Sequence, residues 1–132
     1  MPSRSLPKIS LIGSGAVGST LVRALYEKGY PMASIVNRTG KTAIALAKTV
    51  KCKKASTSIG DIDSSSDIII IAVPDDMLGG VAHELSQTKH LKFKKLFIAH
   101  TSGVHSSHML EALQRKGALT ASIHPIQTFP KG

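Results

Sequence analysis

"LIGSGAVGST", residues Leu11 to Thr20, places glycines at positions 13, 15 and 18 directly behind a short apolar run. A Gly-x-Gly-x-x-Gly spacing acquires meaning where a strand turns into a helix. There the first glycine makes the tight turn, the second leaves room for a pyrophosphate beside the backbone, and the third lets the helix pack closely on the strand. Both flanks have that character. Residues 8–12 read as a strand, and Val17, Leu21 and Leu25 recur at helical spacing as far as Gly29, a C-terminal glycine stop.

The same alternation runs outward from this turn. Residues 34–36 form a second short strand, and Ala43, Ala47 and Val50 line one face of a helix that starts near Thr39. A weak strand at 54–58 and a turn-rich stretch at 60–66 precede the strongest strand, 67–73, "DIIIIAV". A continuous β-branched run of this kind suits a parallel strand buried on both faces. Pro74 fits the first helical position, Asp75 and Asp76 suit the positive end of the helix dipole, and Leu78, Val81, Ala82 and Leu85 mark the buried face. A fifth strand at 95–99, a fourth helix marked by Met109, Leu110 and Leu113 and ending at Gly117, and a sixth strand at 119–123 complete the chain. The expectation is an α/β fold: a doubly wound parallel sheet of about six strands with right-handed crossovers, in the order 3-2-1-4-5-6. Residues 1–132 form one dinucleotide-binding domain on this reading.

Composition narrows the class. The chain is 42% hydrophobic and 19% charged, as expected of a soluble globular domain, and its longest apolar stretch, 68–73, is far too short to cross a bilayer. No stretch of signal-peptide length opens the chain, so a cytoplasmic location is expected. Cys52 is the one cysteine and reads as an ordinary reduced thiol. The net charge of +9 raises nucleic acid as a partner, but the lysines are dispersed and three Phe, two Tyr and no Trp leave little material for stacking on bases. Solvated surface charge is the expectation, with a small anionic ligand next. His100, His105 and His108 suggest a metal, yet no Cys or acidic motif completes a site, so no metal is expected.

At the end of the second strand, NAD-specific sites usually carry an acid for the ribose 2′-hydroxyl. Here stand Asn37, Arg38 and Thr39, with Lys41 one turn on. Asn37 removes the carboxylate that would repel a 2′-phosphate, and Arg38 offers a guanidinium for it, so NADP is favoured over NAD.

The segments "LIGSGAVGSTLVRAL", "VNRT", "DIIIIAVPDDML", "HTSG" and "SIHPIQTF", in this order, resemble the Rossmann-like proteins related to pyrroline-5-carboxylate reductase and 6-phosphogluconate dehydrogenase. The resemblance is closest to a branch of NADP-oxidoreductase-like proteins in which a domain of unknown function follows. It implies that Gly13, Ser14, Gly15, Ala16, Val17 and Gly18 hold the pyrophosphate, that Asn37, Arg38 and Thr39 hold the adenosine phosphate end, and that Ala72, Val73 and Pro74 border the nicotinamide-side ribose. It also implies a helical C-terminal domain, which encloses the substrate and commonly forms a dimer and which is absent from these residues. Self-association through the apolar surface so exposed is an expectation.

His100, Thr101, Ser102 and Gly103 follow the fifth strand, and His124, Pro125, Ile126 and Gln127 follow the sixth. Both groups are expected at the carboxyl edge of the sheet. His100 or His124 could donate a proton to a carbonyl or imine while the nicotinamide delivers hydride, and Ser102 could orient the substrate or the carboxamide. Two functions remain open: part of an NADPH-dependent reductase of small carbonyl or imine compounds, incomplete alone, or a non-catalytic module that senses NADP(H).

Overall fold

The computed structural model describes residues 6–13, 15–102 and 107–123. Six strands, β1 (Ile9–Ile12), β2 (Met32–Val36), β3 (Ala55–Ser56), β4 (Ile68–Ile71), β5 (Phe97–His100) and β6 (Leu119–Ser122), form one sheet in the order β3-β2-β1-β4-β5-β6. Every pairing is parallel. Four helices connect them: α1 (Ala16–Glu27), α2 (Gly40–Thr49), α3 (Asp75–Ser86) and the short α4 (Glu111–Arg115).

The isoleucine run of β4 shows why the sheet needs two helical layers. Ile70 packs with Leu11, Ile35, Val22 and Ala43 on the face covered by α1 and α2, while Ile69 and Ile71 pack with Leu78, Ala82, Leu85 and Leu113 on the face covered by α3 and α4. Alternate side chains of one strand thus enter opposite cores. Ala43, Ala47 and Val50 of the α2 segment are all buried, as their spacing predicts. In α1 the buried positions are Gly18 and Val22, with Leu21 and Leu25 packed at the margin; Val17 faces outward. The α1 stripe is therefore rotated about one residue from the expected one.

Some boundaries move. Pro74 caps α3 in an extended conformation, φ −56° and ψ 150°, and the helix starts at Asp75. The expected strand at 54–58 pairs only through Ala55 and Ser56, and β5 starts two residues later than expected and extends to His100. Gly29 and Gly117 have φ of +98° and +106° just beyond α1 and α4, the left-handed geometry that glycine accepts without penalty.

Three buried serines form a feature that periodicity does not reveal. Ser10 Oγ lies 2.6 Å from Ser34 Oγ and 2.6 Å from Ser66 Oγ. Ser66 donates to the Asp63 carbonyl at 2.6 Å, and Ser34 accepts from the Asp63 N–H at 3.1 Å. Only one direction satisfies all of them: the Asp63 amide donates to Ser34, Ser34 to Ser10, Ser10 to Ser66, and Ser66 back to the Asp63 carbonyl. The chain staples β1, β2 and the turn before β4 with no polar atom wasted. The Asp63 carboxylate also accepts from the Ser65 hydroxyl and, at 3.0 Å, from its amide; these bonds hold its carboxyl below the usual carboxylate range.

At the far edge, Phe97 and Leu119 are register partners on adjacent strands. Both are exposed, Leu119 to 70%. Cys52 is half-buried, and burial pushes its thiol pKa up, which keeps the sulfur protonated and a poor nucleophile. Among the described residues no helix is long and apolar enough to cross a membrane.

Candidate functional site

The carboxyl ends of β1, β2 and β4 open into a cleft of about 440 Å³. In a doubly wound sheet this is the switch point, where neighbouring strands send their connections to opposite faces and leave a crevice. Gly13, Gly15, Asn37, Arg38, Ala72, Val73 and Pro74 all line it. These residues come from three of the sequence segments singled out above.

The three glycines do different work. Gly13 has φ +91°, and a Cβ there would overlap the Ala72 carbonyl oxygen and lie 2.9 Å from its carbon. At Gly18 a Cβ would come within 2.6 Å of the Ala72 Cβ and 3.3 Å of Leu11 Cδ1. Those two glycines bring β1, α1 and the end of β4 together. Gly15 is different: a Cβ there meets nothing within 4 Å. Its open side belongs to the cleft. Among the described residues no side chain caps α1, and no acid stands in its first turn. Its backbone donors and partial positive charge are therefore unopposed. Asp75 and Asp76 occupy the equivalent positions of α3. Ala16 and Val17 lie on the exposed first turn of α1, and Ser14 lies outside the described residues.

At the other end of the cleft, Asn37 Nδ2 donates to Thr39 Oγ1 at 2.9 Å, and Thr39 Oγ1 donates to Thr42 Oγ1 at 3.0 Å. Thr39 thus braces two lining residues, Asn37 and Thr42, without lining the cleft itself. Arg38 is exposed and forms no ion pair with any described residue. Like α1, α2 has no side-chain cap and no acid in its first turn, where Lys41 stands. The local charge is positive, and the backbone dipole has the same sign. An anionic group fits this set of side chains and backbone donors.

His100 and Ser102 are placed less simply. His100, at 2% exposure, ends β5, and its Nδ1 accepts from the Ser102 N–H at 3.1 Å. Ser102 is buried, and its hydroxyl donates to the Asp75 carboxylate at the start of α3. Ser102 ties the segment after β5 to the start of α3, His100 holds the Ser102 amide, and neither lines the cleft. His124, Gly103 and His105 lie outside the described residues. Among the described residues no three His, Cys, Asp or Glu come together as metal ligands.

Sequence reasoning missed Thr42, Thr57, Ile59, Met77, Val81 and Glu84, which complete the lining together with the strand ends Ile12 and Val36. Met77, Val81 and Glu84 follow one face of α3 at helical spacing. That signal is present in the sequence, but Val81 belongs to the core stripe as well and conceals it.

Comparison with known proteins agrees with this architecture. In Caldivirga maquilingensis, a glutamyl-tRNA reductase is 39% identical over 66 residues, which is 49% of this chain and 16% of the reductase. Among solved structures, the Bacteroides fragilis protein BF3122, described as an NADP oxidoreductase, superposes with a TM-score of 0.78 at 24% identity over 96% of this chain. Prephenate dehydrogenase from A. aeolicus, solved with hydroxyphenyl propionate and NAD+, superposes at 0.75 with 18% identity over 98%. The chain spans 46% and 45% of those two proteins, respectively. At such identities the likeness is one of fold. The Rossmann-like domain family model matches residues 3–125, nearly the whole chain, and this protein belongs to that family.

Proposed function

We propose that this chain binds NADP(H) and forms the nucleotide domain of an oxidoreductase that moves hydride between NADPH and a small carbonyl or imine compound. The observation that carries the reading is the pairing, in one cleft, of an uncapped acid-free α1 terminus beside the open Gly15 with Arg38, which forms no ion pair among the described residues. BF3122 supports it by its description, as does a Synechocystis biliverdin reductase solved with NADP+, which superposes with a TM-score of 0.64. Calorimetric titration with NADPH and NADH tests it. NADPH is expected to bind tighter, and Arg38→Ala to weaken NADPH by about 10- to 100-fold while NADH stays within about twofold, the worth of charge-assisted hydrogen bonds to one phosphate. Equal affinities for the two dinucleotides in both proteins would rule out the assignment.

The bound dinucleotide supplies a hydride from its nicotinamide. The residues assigned to the accompanying proton are His100 and His124. Because Nδ1 of His100 accepts from the Ser102 amide, the neutral ring carries its hydrogen on Nε2; to give a proton to substrate from Nε2, the ring must first release the Ser102 amide and take up a proton on Nδ1, so that the imidazolium is the donor. Ser102, held by Asp75, keeps that ring in place. In a complete enzyme that contains these residues, the double variant His100→Ala/His124→Ala is expected to lose at least about tenfold in NADPH oxidation against a panel of keto acids, aldehydes and imines. Undiminished turnover would end the proton-donor role. The burial of His100 favours a second reading, a nucleotide-sensing module without chemistry at these residues. That reading predicts tight NADPH binding with no turnover of any panel member, either by this chain or by any longer form of its open reading frame.

A further inference from the structure

Beyond Arg38 the cleft continues to an end that the dinucleotide reading leaves unexplained. Its floor is apolar: Ile59 packs on the cluster that holds Val36 and Val81, and all three line the cleft together with Met77. Such a surface suits a flat aromatic base. At its rim stands Glu84, two turns along α3 from Met77. The Glu84 carboxylate makes no hydrogen bond or ion pair with any described residue, and it is not paired with Arg38. An unpaired carboxylate in a cleft shaped for a polyanion opposes binding unless it receives a donor from the ligand.

Resting on the reading above, we propose that Glu84 selects the base: its carboxylate accepts a hydrogen bond from the exocyclic amino group of a 6-aminopurine and rejects a 6-oxopurine. An ionised carboxylate can only accept hydrogen bonds. Adenine offers an N–H at C6, whereas hypoxanthine presents a carbonyl oxygen there. Two acceptors would then face each other without a proton, so discrimination comes from the mismatch as well as from the lost bond. The Glu84→Gln variant carries an amide that can accept from the adenine amino group or donate to the hypoxanthine carbonyl, so this substitution should erase the preference rather than merely weaken binding.

The test compares NADPH with its deamino analogue, reduced nicotinamide hypoxanthine dinucleotide phosphate, by calorimetry on the wild type, Glu84→Gln and Glu84→Ala. The wild type is expected to favour NADPH by about tenfold or more. Glu84→Gln should bring the ratio to about one, and Glu84→Ala should weaken NADPH while leaving the analogue unchanged or tighter. Equal wild-type affinities for the two would overturn this inference and leave the NADP(H) reading standing. A uniform gain for both ligands in the two variants would reduce Glu84 to a repulsive charge and overturn it too. If the wild type bound neither dinucleotide, the reading of the cleft would fall, and this inference with it. Glu84 is exposed, so unchanged melting temperatures are expected for both variants and serve as the control for folding.

Discussion

Gly13→Ala is expected to destabilise the protein by about 3–5 kcal/mol, seen as a fall in melting temperature of more than about 10 °C. Two costs add. The new Cβ would overlap the Ala72 carbonyl oxygen and sit 3.0 Å from Val73 Cγ1, and the backbone at φ +91° is strained for any side chain. Relief requires β1 and the end of β4 to separate, yet the Ala72 N–H is bonded to the Ile12 carbonyl at 2.8 Å. Gly15→Ala is the matched control. Its φ of −67° suits any residue and its Cβ meets nothing, so the stability cost stays below about 1 kcal/mol, the difference between glycine and alanine as a helix cap. NADPH affinity should nevertheless fall by about tenfold or more, because the methyl group fills the space a phosphate would take. One glycine substitution thus damages the fold and its neighbour damages binding. Equal melting temperatures for Gly13→Ala and the wild type would show that the turn is not built this way.

The second large effect is expected at Ser10. Ser10→Ala leaves the Ser34 hydroxyl without its acceptor and the Ser66 oxygen without its donor, both in buried surroundings. At about 1–3 kcal/mol for each unsatisfied group, the loss should be about 2–4 kcal/mol in denaturant unfolding, more than removing one exposed hydroxyl could cost. The directionality of the chain adds a sharper expectation. Ser34→Ala should cost less in the Ser10→Ala background than in the wild type, because the Ser34 hydroxyl has already lost its acceptor there. Strict additivity in that double-mutant cycle would mean that the serines act independently.

These cases show where a sequence is readable. Strand order, the glycine turn and the double burial of β4 follow from patterns local to one segment, and all three are found. The serine staple is invisible to such patterns because Ser10, Ser34 and Ser66 are distant in the chain and each alone reads as an interruption in an apolar strand or turn. The lining supplied by Thr42, Thr57, Ile59 and Glu84 is assembled from three separate connections, whose mutual placement depends on how the helices pack. The sequence reading puts His100 just after the fifth strand, at the carboxyl edge of the sheet. It is instead the last residue of β5, paired in register with Ile71 and Ser122, and the sheet itself buries it. Lys51, just after α2, takes φ 52° where glycine is usual, so that helix ends without a stop signal in the sequence.

Ala72 faces both Gly13 and Gly18, and the fingerprint at the head of the chain is therefore half of a two-part lock. Its other half is a small residue at the end of β4, far away in sequence. The Ala72 methyl already occupies the space that a side chain at position 18 would need. Accordingly, Ala72→Gly would open room for Gly18→Ala, though not for Gly13→Ala, whose obstacle is the backbone carbonyl that every residue at 72 must carry. Someone redesigning this nucleotide turn is bound to treat positions 18 and 72 as a single variable and position 13 as a constant.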